Sequence, residues 1–232
     1  MAESLLVIGR SGTGKSTSVR ALNPNETFVI NVAKKQLPFK GSKTLYTDFI
    51  LGEDKKSSTG NLFNTDNPKN IQGALKHINE FRPDIKNIVI DDMQYVMTNE
   101  YMRRSKEKGF DKFVEMSSNM FNTISMLNEL RGDLMIVCMF HPDVDTDETG
   151  NRMIQAKTIG KMFDKYVTLE GLFAIVLYTF SRRGESKMEY GFTTQNSGQN
   201  TGKSPEGMFE AEEIPNDLQL VRDMIWAYNY AT

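Results

Sequence analysis

The stretch Gly9-Arg10-Ser11-Gly12-Thr13-Gly14-Lys15-Ser16-Thr17 constrains this chain more than any other. It satisfies the phosphate-binding pattern G-x-x-x-x-G-K-[ST] at every fixed position. Its flanks agree with the motif. The apolar run Leu5-Leu6-Val7-Ile8 reads as a short buried strand, and a helix is predicted from about Lys15 to Ala21. Glycines let such a loop wrap closely, so that backbone N–H groups turn inward toward phosphate oxygens. The following helix adds its positive N-terminal end. Lys15 is then expected to reach the β- and γ-phosphates of ATP, and the Ser16 hydroxyl to hold Mg²⁺.

The remaining composition narrows the setting. With 232 residues, the chain is long enough for one large α/β domain with a full core. No apolar run approaches the length of a membrane span, and no secretion signal is read at the start. The one cysteine, Cys138, excludes an internal disulfide framework and lies in an apolar, strand-like run. A reducing cytoplasm is the expected location, the host cytoplasm if a phage encodes the chain. Two histidines and one cysteine do not build a conventional zinc site. A net charge of −2 means that any nucleic-acid binding must come from local patches.

A second informative stretch is Asn87-Ile88-Val89-Ile90-Asp91-Asp92. It reads as a parallel strand that presents carboxylates at its C-terminal end, where open α/β sheets bind ligands. Asp91 is the expected Mg²⁺ partner, together with Ser16, and Asp92 a candidate to orient or deprotonate the attacking water. Leu134 to Phe140 reads as a buried strand ending in His141 at the same sheet edge. That histidine either senses the γ-phosphate or caps a turn before Pro142.

The rest of the chain reads as follows. Thr27 to Val32 is a predicted second strand, followed by a basic loop with Lys34, Lys35, Lys40 and Lys43. Either a solvated connection or a phosphate contact explains that loop. Thr44 to Ile50 is read as a third short strand, and residues 52–64 as a mobile loop. Asn67-Pro68 starts a helix whose apolar stripe is Ile71, Leu75, Ile78 and Phe81, with His77 off it and at the surface. Arg103, Arg104, Lys106 and Lys108, flanked by Tyr101 and Phe110, form either a solvated face or a single-stranded nucleic-acid contact. Phe113 to Leu127 repeats at helical spacing. Residues 143–150 read as an acidic turn that lacks calcium-loop spacing. A short helix is expected from Thr158-Ile159-Gly160-Lys161. Phe173–Phe180 and Met188–Thr194 form a predicted hairpin, residues 196–203 a polar loop, and Asn216 starts the last helix.

This order of elements resembles the RecA-like ATPase core. The fold class is therefore expected to be α/β, a single domain with a mainly parallel central sheet flanked by helices and a C-terminal β-hairpin. In that family the segments after the acidic strand and after the polar-ended strand are the DNA-binding loops; their counterparts here are residues 101–112 and 142–157. More closely, the chain is similar to the short phage-type RecA-like ATPases that act as single-strand annealing proteins. The stretches carrying this likeness are Ile90-Asp91-Asp92-Met93-Gln94-Tyr95, Phe140-His141, Thr158-Ile159-Gly160-Lys161 and Lys203-Ser204-Pro205-Glu206-Gly207-Met208-Phe209. The resemblance implies ATP hydrolysis with Mg²⁺, single-stranded DNA as partner, assembly into a homo-oligomeric ring or filament, and no membrane. It also implies a basic residue supplied across a subunit interface. Lys203 is the candidate, against a plain surface lysine, with Arg182 and Arg183 as alternatives.

The chain departs from that family in two respects. The family's catalytic glutamate at the end of the second strand falls near Asn31 to Lys35, where no acid stands. A separate N-terminal oligomerisation segment is not expected, since the phosphate loop begins at Gly9. Two other classes stay open: a small-molecule kinase that uses Arg103 and Arg104 on a lid, and a nucleotide-switched binding module. An AAA-type remodeller is disfavoured, because a hairpin stands where a helical lid is needed.

Overall fold

The structure is a computed structural model that describes all residues except 147–151, 160–162, 164–166 and 231–232. An eight-stranded sheet carries the fold. Its strands are β1 (Glu3–Ile8), β2 (Thr27–Asn31), β5 (Leu62–Phe63), β6 (Asn87–Asp91), β7 (Met135–Phe140), β10 (Ile175–Arg183), β11 (Met188–Thr193) and β12 (Glu213–Pro215). Their order across the sheet is β12-β11-β10-β1-β7-β6-β2-β5. From β10 to β5 all pairs are parallel, and the β10-β11-β12 end is antiparallel. One strand, β7, separates the phosphate-loop strand β1 from the acidic strand β6. This is the α/β arrangement expected from the sequence, a mainly parallel central sheet with an antiparallel hairpin at one end.

Period-two alternation sends side chains to both faces. Leu6 and Ile8 of β1 join Ile88, Ile90, Ile136 and Phe140 on one face, beneath helices α2 (Pro68–Phe81) and α4 (Asp111–Leu127). Leu5 and Val7 join Val29, Val89 and Val137 on the other, beneath α5 (Leu218–Tyr230) and the short 3₁₀ helix Ser16–Ala21. Each fully buried Leu, Ile or Val contributes about 1.5–3 kcal/mol, so both faces anchor the sheet firmly. No helix among the described residues is long and apolar enough to cross a membrane.

Helix α2 starts where expected. The Asn67 side chain accepts from the N–H groups of Lys69 and Asn70, with Pro68 at the first helical position. Its face holds a correction. His77 is buried, not at the surface: Nε2 lies 2.9 Å from Ser58 Oγ, and the ring packs between Phe49 and Phe81. The cause is that Phe49 and Ser58, from the chain before α2, reach the ring. Strands β3 (Ile50–Leu51) and β4 (Ser58–Thr59) pair antiparallel there, and Leu62-Phe63 closes the sheet edge beside Val29-Ile30. Residues 44–50 do not form one strand. Gly41 (φ 81°) turns the chain into a one-turn helix, α1 (Ser42–Leu45), and the strand begins only at Ile50.

The expected acidic turn is also different in its described part. β8 (Pro142–Thr146) pairs antiparallel with β9 (Arg152–Ala156), with Val144 opposite Ile154. Exposed aspartates alternate with apolar residues there, and their charge hid the strand period. Residues 147–150 lie outside the described residues, as do Gly160 and Lys161 of the expected Thr158–Lys161 helix start. Helix α3 (Gln94–Arg103) leads into the basic segment.

Candidate active site

Strand register brings the functional ends together. Leu6 lies beside Cys138 and Ile8 beside Phe140, while Asn31 lies beside Asp91. The loop from Gly9 to Thr17 leaves this edge, fastened by the Gly9 N–H to the Phe140 carbonyl at 3.1 Å. All three of its glycines are required by geometry, Gly12 by its φ of 81°. Gly14 has φ 97° and sits against Asn216, so a side chain there would be both strained and crowded. A Cβ on Gly9 would come within 1.7 Å of Thr179 Oγ1. Thr13 meets the same Thr179 hydroxyl, tying the loop to β10.

Lys15 is buried and folds back over the loop, its Nζ donating to the Gly9 carbonyl at 2.6 Å. Burial lowers its pKa, and Asp92 and Asp91 partly oppose that shift. The Ser16 hydroxyl donates to Asp91 Oδ1 at 2.9 Å. Asp91 is fully buried, and its Oδ2 has no hydrogen-bond partner. Burial raises its pKa, with Asp92 adding to the effect. A buried carboxylate oxygen without a partner, next to a hydroxyl at a phosphate loop, is the donor set a divalent cation takes. Ser16 and Asp91 thus fit Mg²⁺; bound there, the ion would neutralise phosphate charge. A cavity of about 520 Å³ opens over this group, lined among others by Ser11, Gly12, Lys15, Ser16, Lys35 and His141.

Asp92 stands beside this pair in a left-handed conformation (φ 58°), nearly fully buried. It forms an ion pair with Lys35 through Oδ2, and His141 Nε2 lies 3.2 Å from its Oδ1. Burial alone would raise its pKa. The His141 ring beside Oδ1 and the Lys35 ammonium on Oδ2 outweigh that and hold the carboxyl well below the usual range. His141 is therefore at the sheet edge as expected, with its backbone N–H donating to Gln94 Oε1 and its ring near Tyr95. Lys35 was not among the expected site residues. The one signal for it was the basic loop after β2, standing where RecA-like proteins carry a glutamate.

The sequence model of a family described as AAA domain matches residues 1–205. The chain belongs to the AAA domain family. It is a P-loop ATPase domain by that membership. Comparison with curated proteins returned no match. Among solved structures, a KaiC-like protein from the hyperthermophilic archaeon Pyrococcus horikoshii OT3 is similar over 92% of this chain and 84% of its own, with 13% identity and a TM-score of 0.49. The match corrects the expectation that disfavours an AAA-type protein; the expected hairpin, β10-β11, is nevertheless present.

The other expected residues of this AAA domain are not among those lining the cavity over the phosphate loop. Lys203 does not sit in a free loop: its backbone N–H and carbonyl both bond to Val176, early in β10, while the side chain is exposed. Arg182 is paired with Glu189 and Glu213. Arg103 donates to Asp66 at 2.6 Å, and Arg104 is held by Glu100, Glu107 and Glu115. Lys106 and Lys108 are exposed and carry no ion pair among the described residues. Phe110 is 75% exposed, whereas Tyr101 packs on Phe113 beneath Lys112.

Proposed function

We propose that this AAA domain hydrolyses ATP with Mg²⁺, binds single-stranded DNA, and supports strand annealing or recombination as a homo-oligomeric ring or filament. The observation that carries the ATPase part is the buried Ser16–Asp91 contact beneath the glycine loop. In this reading water attacks the terminal phosphorus and ADP leaves. Lys15 holds phosphate charge, Ser16 and Asp91 hold the cation, and Asp92 orients the water. A carboxylate as firmly paired as Asp92 is a weak base, which favours slow turnover. The same feature supports the second reading, a nucleotide-switched binding module.

The DNA part is supported by the cationic residues after α3 and the exposed Phe110 beside them. Charge for the backbone and a flat face for a base are what single strands require. Of the four cations, Lys106 and Lys108 are the ones without internal pairs. Replacing these two should flatten the salt dependence of single-strand binding by about 0.7 log unit for each lost contact. Phosphate release measured with and without single-stranded DNA, alongside particle size, tests the proposal as a whole. DNA-stimulated release by a multimer supports it. A monomer whose release ignores DNA contradicts the DNA and assembly parts.

A further inference from the structure

Lys35 lies in a sequence, Lys34-Lys35-Gln36-Leu37, that reads readily as a solvated connection. Its backbone is held more tightly than such a loop needs. Asn31, buried at the end of β2, accepts from the Lys35 N–H at 3.3 Å and donates through Nδ2 to the Lys35 carbonyl at 2.7 Å. The same Nδ2 donates to Asn64 Oδ1 at 2.8 Å. Lys34 completes the turn in the left-handed region, φ 54°. One buried side chain therefore clamps both backbone groups of Lys35.

The side chain of Lys35 combines this fixed origin with an accessible stem. It is 46% exposed, yet its Nζ rests on Asp92, next to the carboxylate that carries Ser16. It borders the same cavity as Lys15, Ser16 and Arg10. Asp91 and Asp92 both face an incoming polyanion with negative charge. A second cation beside Lys15 offsets that repulsion and meets the charge that spreads over a transferring phosphoryl group.

We propose that Lys35 is a catalytic cation that contacts the terminal phosphate of ATP from within its own subunit, with Asp92 as the counter-ion that poises it. The inference rests on the ATPase reading above. It separates from a structural role through nucleotide preference. ADP lacks the group that Lys35 would touch, so loss of the cation should weaken triphosphate binding and spare ADP. A lysine that only steadies Asp92 would change both alike.

The test is equilibrium binding of ADP and of the non-hydrolysable β,γ-imido analogue of ATP, with Mg²⁺, by displacement of a fluorescent nucleotide. The full chain is compared with Lys35→Met, Lys35→Gln, Lys35→Arg and Asp92→Asn. Removing one charge-assisted contact should weaken the triphosphate about tenfold in the Met and Gln variants, with ADP changed less than about twofold. Lys35→Arg should keep the wild-type preference, and Asp92→Asn should not copy the Met pattern. Using both Met and Gln keeps the result independent of one variant's folding. Equal changes for the two nucleotides, no change, or an Asp92→Asn pattern identical to Lys35→Met overturns the proposal. Failure of the unsubstituted protein to bind either nucleotide overturns the ATPase reading itself, and this inference with it.

Discussion

The Ser16 hydroxyl donates to Asp91 Oδ1 at 2.9 Å, joining a residue of the first loop to the end of a strand 75 positions later. Nothing but register makes this contact. β1 and β6 both pair with β7, so their C-terminal ends open onto the same edge. The outer oxygen of Asp91 is left buried and unpartnered.

That arrangement predicts opposite effects on activity and stability. Asp91→Asn should raise the Mg²⁺ concentration for half-maximal phosphate release by about tenfold. The same change removes a buried, incompletely paired charge, so thermal melting should not fall below that of the unsubstituted protein. An unchanged Mg²⁺ titration would place the metal elsewhere.

Asp66 predicts an acid-side stability effect. Burial would raise its carboxyl, but hydrogen bonds from Arg103, Asn99 and Lys34 outweigh it and hold the pKa down at about 2. A folded-state pKa below the unfolded value of about 3.9 stabilises the protein above that value and is lost as pH falls toward 2. Asp66→Asn should therefore cost about 1 kcal/mol near neutrality, since two partners are surface cations, and the difference should vanish below about pH 2. Urea melts at pH 7, 4 and 1.5 check this. A pH-independent gap would mean that packing, not the ion pairs, is what the carboxylate supplies.

Lys203 makes a prediction about assembly. Its backbone is fixed to Val176, early in β10, while the loop of its own subunit meets β10 at Thr179. An exposed side chain in that place suits a site across an interface. Lys15→Ala and Lys203→Ala, each inactive alone, should regain some hydrolysis when mixed, because some interfaces then carry both intact lysines. Full activity of Lys203→Ala by itself would remove it from the site.

How much of this was legible in the sequence follows from the range of the forces involved. The glycine loop, its strand and the Asp91 strand are local patterns with fixed spacing, and they stand where their residues put them. The hairpin β10-β11 and helix α4 likewise follow from their own period. His77 was misread because its environment comes from Ser58 and Phe49, distant in sequence. The β8–β9 ladder was hidden because Asp143 and Asp145 flank Val144 in β8 and read as a polar turn. Lys35 stands in a basic loop that the sequence leaves open between a solvated connection and a phosphate contact. Only the Asn31 clamp and the parallel register of β2 with β6 bring it to Asp92. The Arg103–Asp66 and Arg104–Glu115 pairs were equally invisible, since those acids approach from other elements, whereas Glu100 and Glu107 are local partners of Arg104.

The central claim is that the Gly9–Thr17 loop holds ATP for hydrolysis, with Lys15 as its phosphate cation. The most direct measurement is the steady-state rate of Mg²⁺-dependent phosphate release from ATP by the full chain and by Lys15→Ala, at matched fold and concentration. Loss of a charge placed at the transferring phosphate should lower the rate by at least about a hundredfold. Equal rates for the two proteins would contradict the account.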